Sequence, residues 1–181
     1  MVKKYRVILG KEQLPIQGII DSQSVKNTDC ASKKNKGFDG GKKVGGIKRH
    51  LLTDMNGLPL DIKITPANES ERDACFQILL DEGELTTRLT EVYGDSGYKG
   101  ARFELEVYYE TGVMINIVPR RKDKPNEFSI VPKRWVVERS FSWLEKCHRL
   151  WKNTERLLHT SKTMIQLCFI RLLARRLGNM S

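Results

Sequence analysis

The chain has 181 residues, 39% of them hydrophobic and 30% charged, which suits one globular domain with its own core. No run approaches the roughly 20 apolar residues of a membrane helix, since the best stretch, 164–174, is broken by Gln166 and Arg171, and no secretory apolar run follows the start Met1-Val-Lys-Lys-Tyr-Arg. Cys30, Cys75, Cys147 and Cys168 are scattered without a Cys-x-x-Cys pair, which argues against a zinc site or a disulfide frame and for a reducing cytoplasm. Taken in chain order, residues 1–18 form a short basic extension, and Gln17 to Asp21 then reads as an apolar strand ending on an acid. Residues 26–46, rich in Lys, Asn and Gly, read as a long loop, without the Gly-x4-Gly-Lys-Ser/Thr of a phosphate loop. Residues 47–53 and 58–65 flank Asp54-Met55-Asn56-Gly57, a hairpin signal.

Pro66 ends that hairpin, and Asn68 or Ser70 caps a helix running to Leu80 with Cys75, Ile78 and Leu79 on its apolar stripe. Residues 89–93 form a strand ending at Gly94-Asp95-Ser96-Gly97, a helix spans about 101–110 with Gly112 closing it, and 113–118 is the last strand. Beyond it the chain is helical. Trp135, Val136, Val137, Phe141, Leu144, Cys147, Leu150 and Trp151 recur at three- and four-residue steps, and Thr160 or Ser161 caps a final amphipathic helix to Leu177. This order implies an α/β fold: a mixed sheet of ribonuclease H-like type flanked by helices, with a helical C-terminal third, occupying residues 19–181.

Three acids stand at chemically suggestive places: Asp21 and Asp95 at strand ends, where α/β sheets bind ligands, and Glu138 inside the long helix. Each alone has an ordinary explanation. Asp21 suits a turn, Asp95 a helix cap, and Glu138 an ion pair with Arg134 one turn earlier. Together they form an ordered set of hard oxygen donors. Clustered carboxylates raise one another's pKa unless a cation joins them, and with no His or Cys at hand the expected ion is Mg²⁺, or Mn²⁺. Two such ions clamp the attacking and leaving oxygens of an in-line phosphoryl displacement. The net charge of +10 points the same way: Pro119 to Ser181 hold 15 Lys plus Arg against 5 Asp plus Glu, whereas residues before them balance at 17 of each sign. A basic half beside a neutral one suits a polyanion, although a solvated helix face accounts for the same excess.

At these residues the chain resembles the insertion sequence 5 family of DDE transposases. Ile19-Ile20-Asp21-Ser22-Gln23-Ser24-Val25-Lys26 is similar to that family's first-aspartate motif, Gly41-Lys42-Lys43 through Lys48-Arg49-His50 and Thr53-Asp54 to its next strand, and Tyr93-Gly94-Asp95-Ser96-Gly97-Tyr98-Lys99-Gly100 to its second-aspartate motif. Arg134-Trp135-Val136-Val137-Glu138-Arg139, continuing to Phe141 and Trp143-Leu144, resembles the glutamate signature. The resemblance runs from about Ile19 to Leu177 and implies a metal-dependent enzyme that cleaves DNA strands and transfers them. Asp21, Asp95 and Glu138 would be its catalytic metal ligands. Lys48, Arg49, His50, Lys99, Arg134, Arg139, Lys146 and Arg149 would contact DNA. Gly94 and Gly97 would permit close backbone approach around Asp95. The family signature places Tyr three positions before the Arg and a basic residue seven after the Glu, where Val131 and Glu145 stand here, so Lys146 or Arg149 is the expected replacement. The resemblance further implies a homo-oligomer assembled on element ends and target DNA, in the cytoplasm at the nucleoid. Relatives carry an N-terminal end-recognition region, and little precedes Ile19, so a partner fused from an upstream reading frame is expected. The alternative is a truncated product that binds DNA or full-length transposase and inhibits transposition.

Overall fold

The computed structural model describes residues 1–81, 83–118 and 134–179, with the backbone alone at residue 134. In chain order the elements are α1 (Val2–Ile8), β1 (Gln17–Lys26), β2 (Gly37–Asp39), β3 (Val44–Asp54), β4 (Pro59–Pro66), α2 (Glu71–Leu80), β5 (Glu91–Gly94), α3 (Ala101–Thr111), β6 (Met114–Ile117), α4 (Arg134–Glu145) and α5 (Leu158–Gly178). β3 pairs antiparallel with β1 and with β4, while β5 and β6 run parallel to β1. The resulting order β4-β3-β1-β5-β6, with β2 added to the start of β3, is the mixed sheet of the ribonuclease H-like fold.

Both sheet faces are covered, and neighbouring residues of one strand show how. Ile20 and Leu52 pack into a core with Cys75 and Ile78 of α2 and Val107 of α3. Ile19 and Leu51 point the other way, into a core with Val137 and Phe141 of α4 and Ile165 and Phe169 of α5. Ser70 caps α2, and Gly112, at φ 70°, closes α3, as their residue types dictate. Among the described residues no helix is long and apolar enough to cross a membrane.

Four features depart from the sequence reading. β1 does not stop at Asp21: its antiparallel pairing with β3 continues from Gly18↔Asp54 to Lys26↔Gly46, while its parallel pairing with β5 ends at Ile19↔Tyr93. Asp21 therefore lies where the neighbouring strand ends. The expected long helix through Trp151 breaks after Glu145, because the chain folds back there: Leu150 packs into the α4–α5 core and the Trp151 indole donates to the Glu145 carbonyl. α5 begins at Leu158, before either proposed cap, and the Ser161 hydroxyl instead donates to Asn153 Oδ1 at 2.7 Å. Residues 2–8 form a helix whose Arg6 makes a buried ion pair with Asp54.

Candidate active site

Asp21 and Asp95 are brought alongside each other by strand register. The last printed pair of the parallel ladder is Ile19↔Tyr93, and two residues further along each strand lie Asp21 and Asp95. By alternation Asp21 faces the side of Ile19, Gln23 and Val25, and Ile19 and Val25 pack against α4. α4 lies along the same face, since Glu145 accepts from the Gln23 side chain at 3.3 Å. Glu138 is exposed on α4; its neighbours Arg139 and Ser140 hold the Asn56-Gly57 turn at the Gly18 end of β1, whereas Glu145, at the other end of the helix, meets Gln23 beyond Asp21. Among the described residues, however, no three His, Cys, Asp or Glu side chains are gathered tightly enough to hold a metal ion. Among the described residues Asp21, Asp95 and Glu138 do not form a closed ligand cage.

Local chemistry fixes the two aspartates. The Asp21 carboxylate accepts from the Ser22 amide at 2.7 Å. Asp95, in extended backbone, accepts from the Gly97 amide at 2.9 Å and so caps a 3₁₀ turn, Ser96–Tyr98. The cap role weighed against a catalytic one is real, and it orients the same carboxylate. A Cβ on Gly97 would stand 2.2 Å from Glu71 Oε2 and 3.0 Å from Asp95 Oδ1, and one on Gly94 would meet the Tyr98 ring at 2.8 Å. Both glycines are needed for space around Asp95. The Tyr98 hydroxyl is fully buried with no hydrogen-bond partner. Burial first, then the negative field of Asp21, Cys75, Glu71 and Asp95, pushes its pKa well above the ordinary value.

Glu71 is the functional candidate that the sequence reading missed. It opens α2 behind the Ser70 cap, a place where an acid ordinarily only complements the helix dipole. Here its Oε1 accepts from the Ser22 hydroxyl at 2.5 Å and lies 4.0 Å from Lys42 Nζ, which itself donates to the Ser22 carbonyl at 3.1 Å. One carboxylate thus touches the residue after Asp21 and the turn after Asp95. The hydrophilic run Asn68-Glu69-Ser70-Glu71 held no signal of that contact, which depends on how α2 lies across the sheet.

The proposed DNA contacts separate sharply. Lys48, Arg49 and His50 are buried at 7%, 4% and 0% exposure, because β3 is central and covered on both faces. Lys48 donates to the Glu69 carbonyl at 2.9 Å, Arg49 to Gln23 Oε1 at 3.4 Å, and His50 pairs with the Thr65 hydroxyl at 2.9 Å. As placed, these three residues do not form an exposed phosphate track. Burial, and then Lys48, Lys42 and Lys63, lowers the His50 pKa to about 3, so it is also neutral. Lys99 and Lys146 are exposed. Arg149 is exposed and donates twice to Glu155, at 3.2 and 2.8 Å. Arg139 is half-buried between Trp135 and Trp143 and donates to the Asn56 carbonyl at 2.9 Å. The side chain of Arg134, and Val131 with it, lies outside the described residues.

A chain from the cryo-EM structure of the simian T-cell lymphotropic virus intasome in complex with PP2A regulatory subunit B56 gamma is similar at a TM-score of 0.45 and 13% identity, covering 74% of this chain and 40% of that one. A Burkholderia cepacia protein assigned as the transposase for insertion sequence element IS402 is 33% identical over 118 residues, covering 61% of this chain. The match spans 54% of that relative's length. The family model described as the transposase DDE domain matches residues 12–173, a span holding both aspartates, the glutamate and every element from β1 to most of α5, and the chain belongs to that family.

Proposed function

We propose that this chain breaks and joins DNA strands by divalent-metal-dependent phosphoryl transfer, with Asp21, Asp95 and Glu138 as its metal-holding acids. The observation that supports the reading is the register of β1 and β5, whose last pair, Ile19↔Tyr93, lies two residues before Asp21 and Asp95 on neighbouring strands. The donor set fits a hard cation. Carboxylate oxygens dominate it, and the ammonium of Lys42 stands 4.0 Å from Glu71, so positive charge is already accommodated beside Asp21. Bound Mg²⁺ or Mn²⁺ would supply the charge that acidifies an attacking water or 3′-hydroxyl and offsets the leaving oxygen.

The protein's own part is to aim these groups. Asp95 is held by the Gly97 amide, Ser22 is tied to Glu71 beside Asp21, and the hydroxyl of Tyr98 sits in the field of three carboxylates. Glu71 belongs to this positioning set. Lys99, Lys146 and Arg149 offer exposed charge for DNA phosphates, and a homo-oligomer on paired element ends completes the reading.

A strand-transfer assay of this chain with labelled element ends tests the proposal. Glu138→Gln keeps the helix surface but removes a charged ligand. Joining is expected to fall by at least about a hundredfold while DNA binding persists. Wild-type joining rates in that variant would reduce Glu138 to a surface acid. DNA binding with no joining by the wild-type chain would favour the inhibitory, non-catalytic alternative.

A further inference from the structure

Two thiols meet at the junction of α4 and α5. Cys147 follows the end of α4, Cys168 lies within α5, and their sulfurs are 2.9 Å apart. Both are half-buried free cysteines, whereas Cys75 is sealed in the α2 core and Cys30 is exposed. A disulfide needs sulfurs about 2.05 Å apart, so small side-chain rotations suffice to reach it. Arg49, buried with no hydrogen-bond partner on its Nε, lies within electrostatic reach of Cys168. Burial and the bond to Cys147 outweigh the opposing pull of Arg171 and Arg49 and raise the Cys168 thiol to about 12. Both sulfur-bearing residues keep part of their surface exposed, which leaves them open to a small oxidant.

We propose that Cys147 and Cys168 form a reversible oxidative cross-linking site, a dithiol that hydroperoxides convert to a disulfide. The Cys147 sulfur, as its thiolate, takes an oxygen from hydrogen peroxide, whose O–O bond breaks and whose other oxygen leaves as water after protonation; Cys168 supplies the second sulfur. The second sulfur then attacks this sulfenic acid. The S–S bond forms, the S–O bond breaks, and the departing hydroxide leaves as water with the second thiol's proton. Two thiols and one hydrogen peroxide give one disulfide and two waters, and a dithiol reductant reverses the change. The product staples the end of the Glu138-bearing helix to α5.

The test uses the full chain, hydrogen peroxide near neutral pH, and peptide mapping without reductant. The expected result is a linked pair of peptides carrying Cys147 and Cys168, lost on adding dithiothreitol, absent from Cys147→Ser and Cys168→Ser and retained in Cys30→Ser. The oxidised wild type should melt about 5–10 °C higher than the reduced form, since the link closes the loop between the two helices. Peptide mapping of the wild type decides the matter even if a serine variant folds poorly. Sulfenic acids trapped separately with dimedone on Cys147 and Cys168 without any link between them, or linkage through Cys30 alone, would overturn the proposal.

Discussion

His50 occupies the middle of β3 with no solvent access, its Nε2 on the Thr65 hydroxyl and its Nδ1 unpartnered. Folding therefore needs the ring neutral, with a pKa lowered from 6.5 to about 3. The unfolded chain takes up a proton below about 6.5 and the folded one does not. The associated stability is complete above the unfolded pKa and is lost as pH falls from there toward the folded one. Between pH 7 and 5 this loss should be about 2 kcal/mol. Urea titrations of wild type and His50→Gln measure it, and an unchanged pH slope in the variant would remove His50 as its source. Glu71 makes a second residue-scale case. Glu71→Gln keeps an oxygen for the Ser22 hydroxyl but deletes a charge beside the Asp95 turn. Mn²⁺ should then raise the melting temperature of the variant less than that of wild type; an equal shift in both would make Glu71 a plain hydrogen-bond acceptor. Both residues expose a limit of reading charge from sequence. Lys48, Arg49 and His50 look like an exposed basic strand until β1 and β4 are known to flank β3 and helices to cover both faces. Asp21 and Asp95 stand out in the sequence as acids following apolar strand runs, while Glu71 gains its neighbours only through tertiary packing.

The β3–β4 hairpin and α4 form a unit, with the helix that bears Glu138 docked on the hairpin turn. Asp54 accepts from the amides of Asn56 and Leu58, at 2.9 and 2.8 Å, and Gly57 takes φ 79°. α4 docks on this turn: the Ser140 hydroxyl donates to the Gly57 carbonyl at 2.8 Å, and Arg139 grips the Asn56 carbonyl from between two indoles. A Cβ on Gly57 would stand 2.7 Å from Ser140 Oγ in a left-handed backbone. Gly57→Ala should therefore cost about 2 kcal/mol, whereas Gly40→Ala, with open space around it, should change stability by less than about 0.5 kcal/mol. Chemical denaturation of the pair checks this, and equal costs would mean that the turn yields freely. The turn itself was plain in Asn56-Gly57, because few residue pairs favour that backbone. The docking of α4 on it was not, because Ser140 and Arg139 read as ordinary polar helix positions. Nor was the break after Glu145: Leu150 and Trp151 keep helical spacing while the chain has already turned to bury one and hydrogen-bond the other.

At the scale of the whole molecule the question is which charges meet DNA. The net charge of +10 arises entirely after Pro119, yet a residue's sign says little about its access. Lys48 and Arg49 are spent inside the sheet, and Arg176 lies over the Trp143 ring at 4.1 Å from its centre. Lys99, at the turn following Asp95, and Lys146, just past α4, remain exposed. Binding driven by phosphates releases counterions, so affinity should fall with salt by about 0.9 log units per log unit of salt for each phosphate neutralised. Replacing Lys99 and Lys146 together with Ala should flatten that slope by roughly two contacts' worth, about 1.8 units, on any DNA sequence. Lys48→Ala should leave the slope as it is, because its ammonium donates to the Glu69 carbonyl from inside the protein. Fluorescence anisotropy with one duplex over a range of potassium chloride measures all three proteins. A flattened slope in Lys48→Ala with an unchanged one in the double variant would mean that β3 opens to meet DNA, and that the buried strand charges, not the exposed ones, form the contact surface.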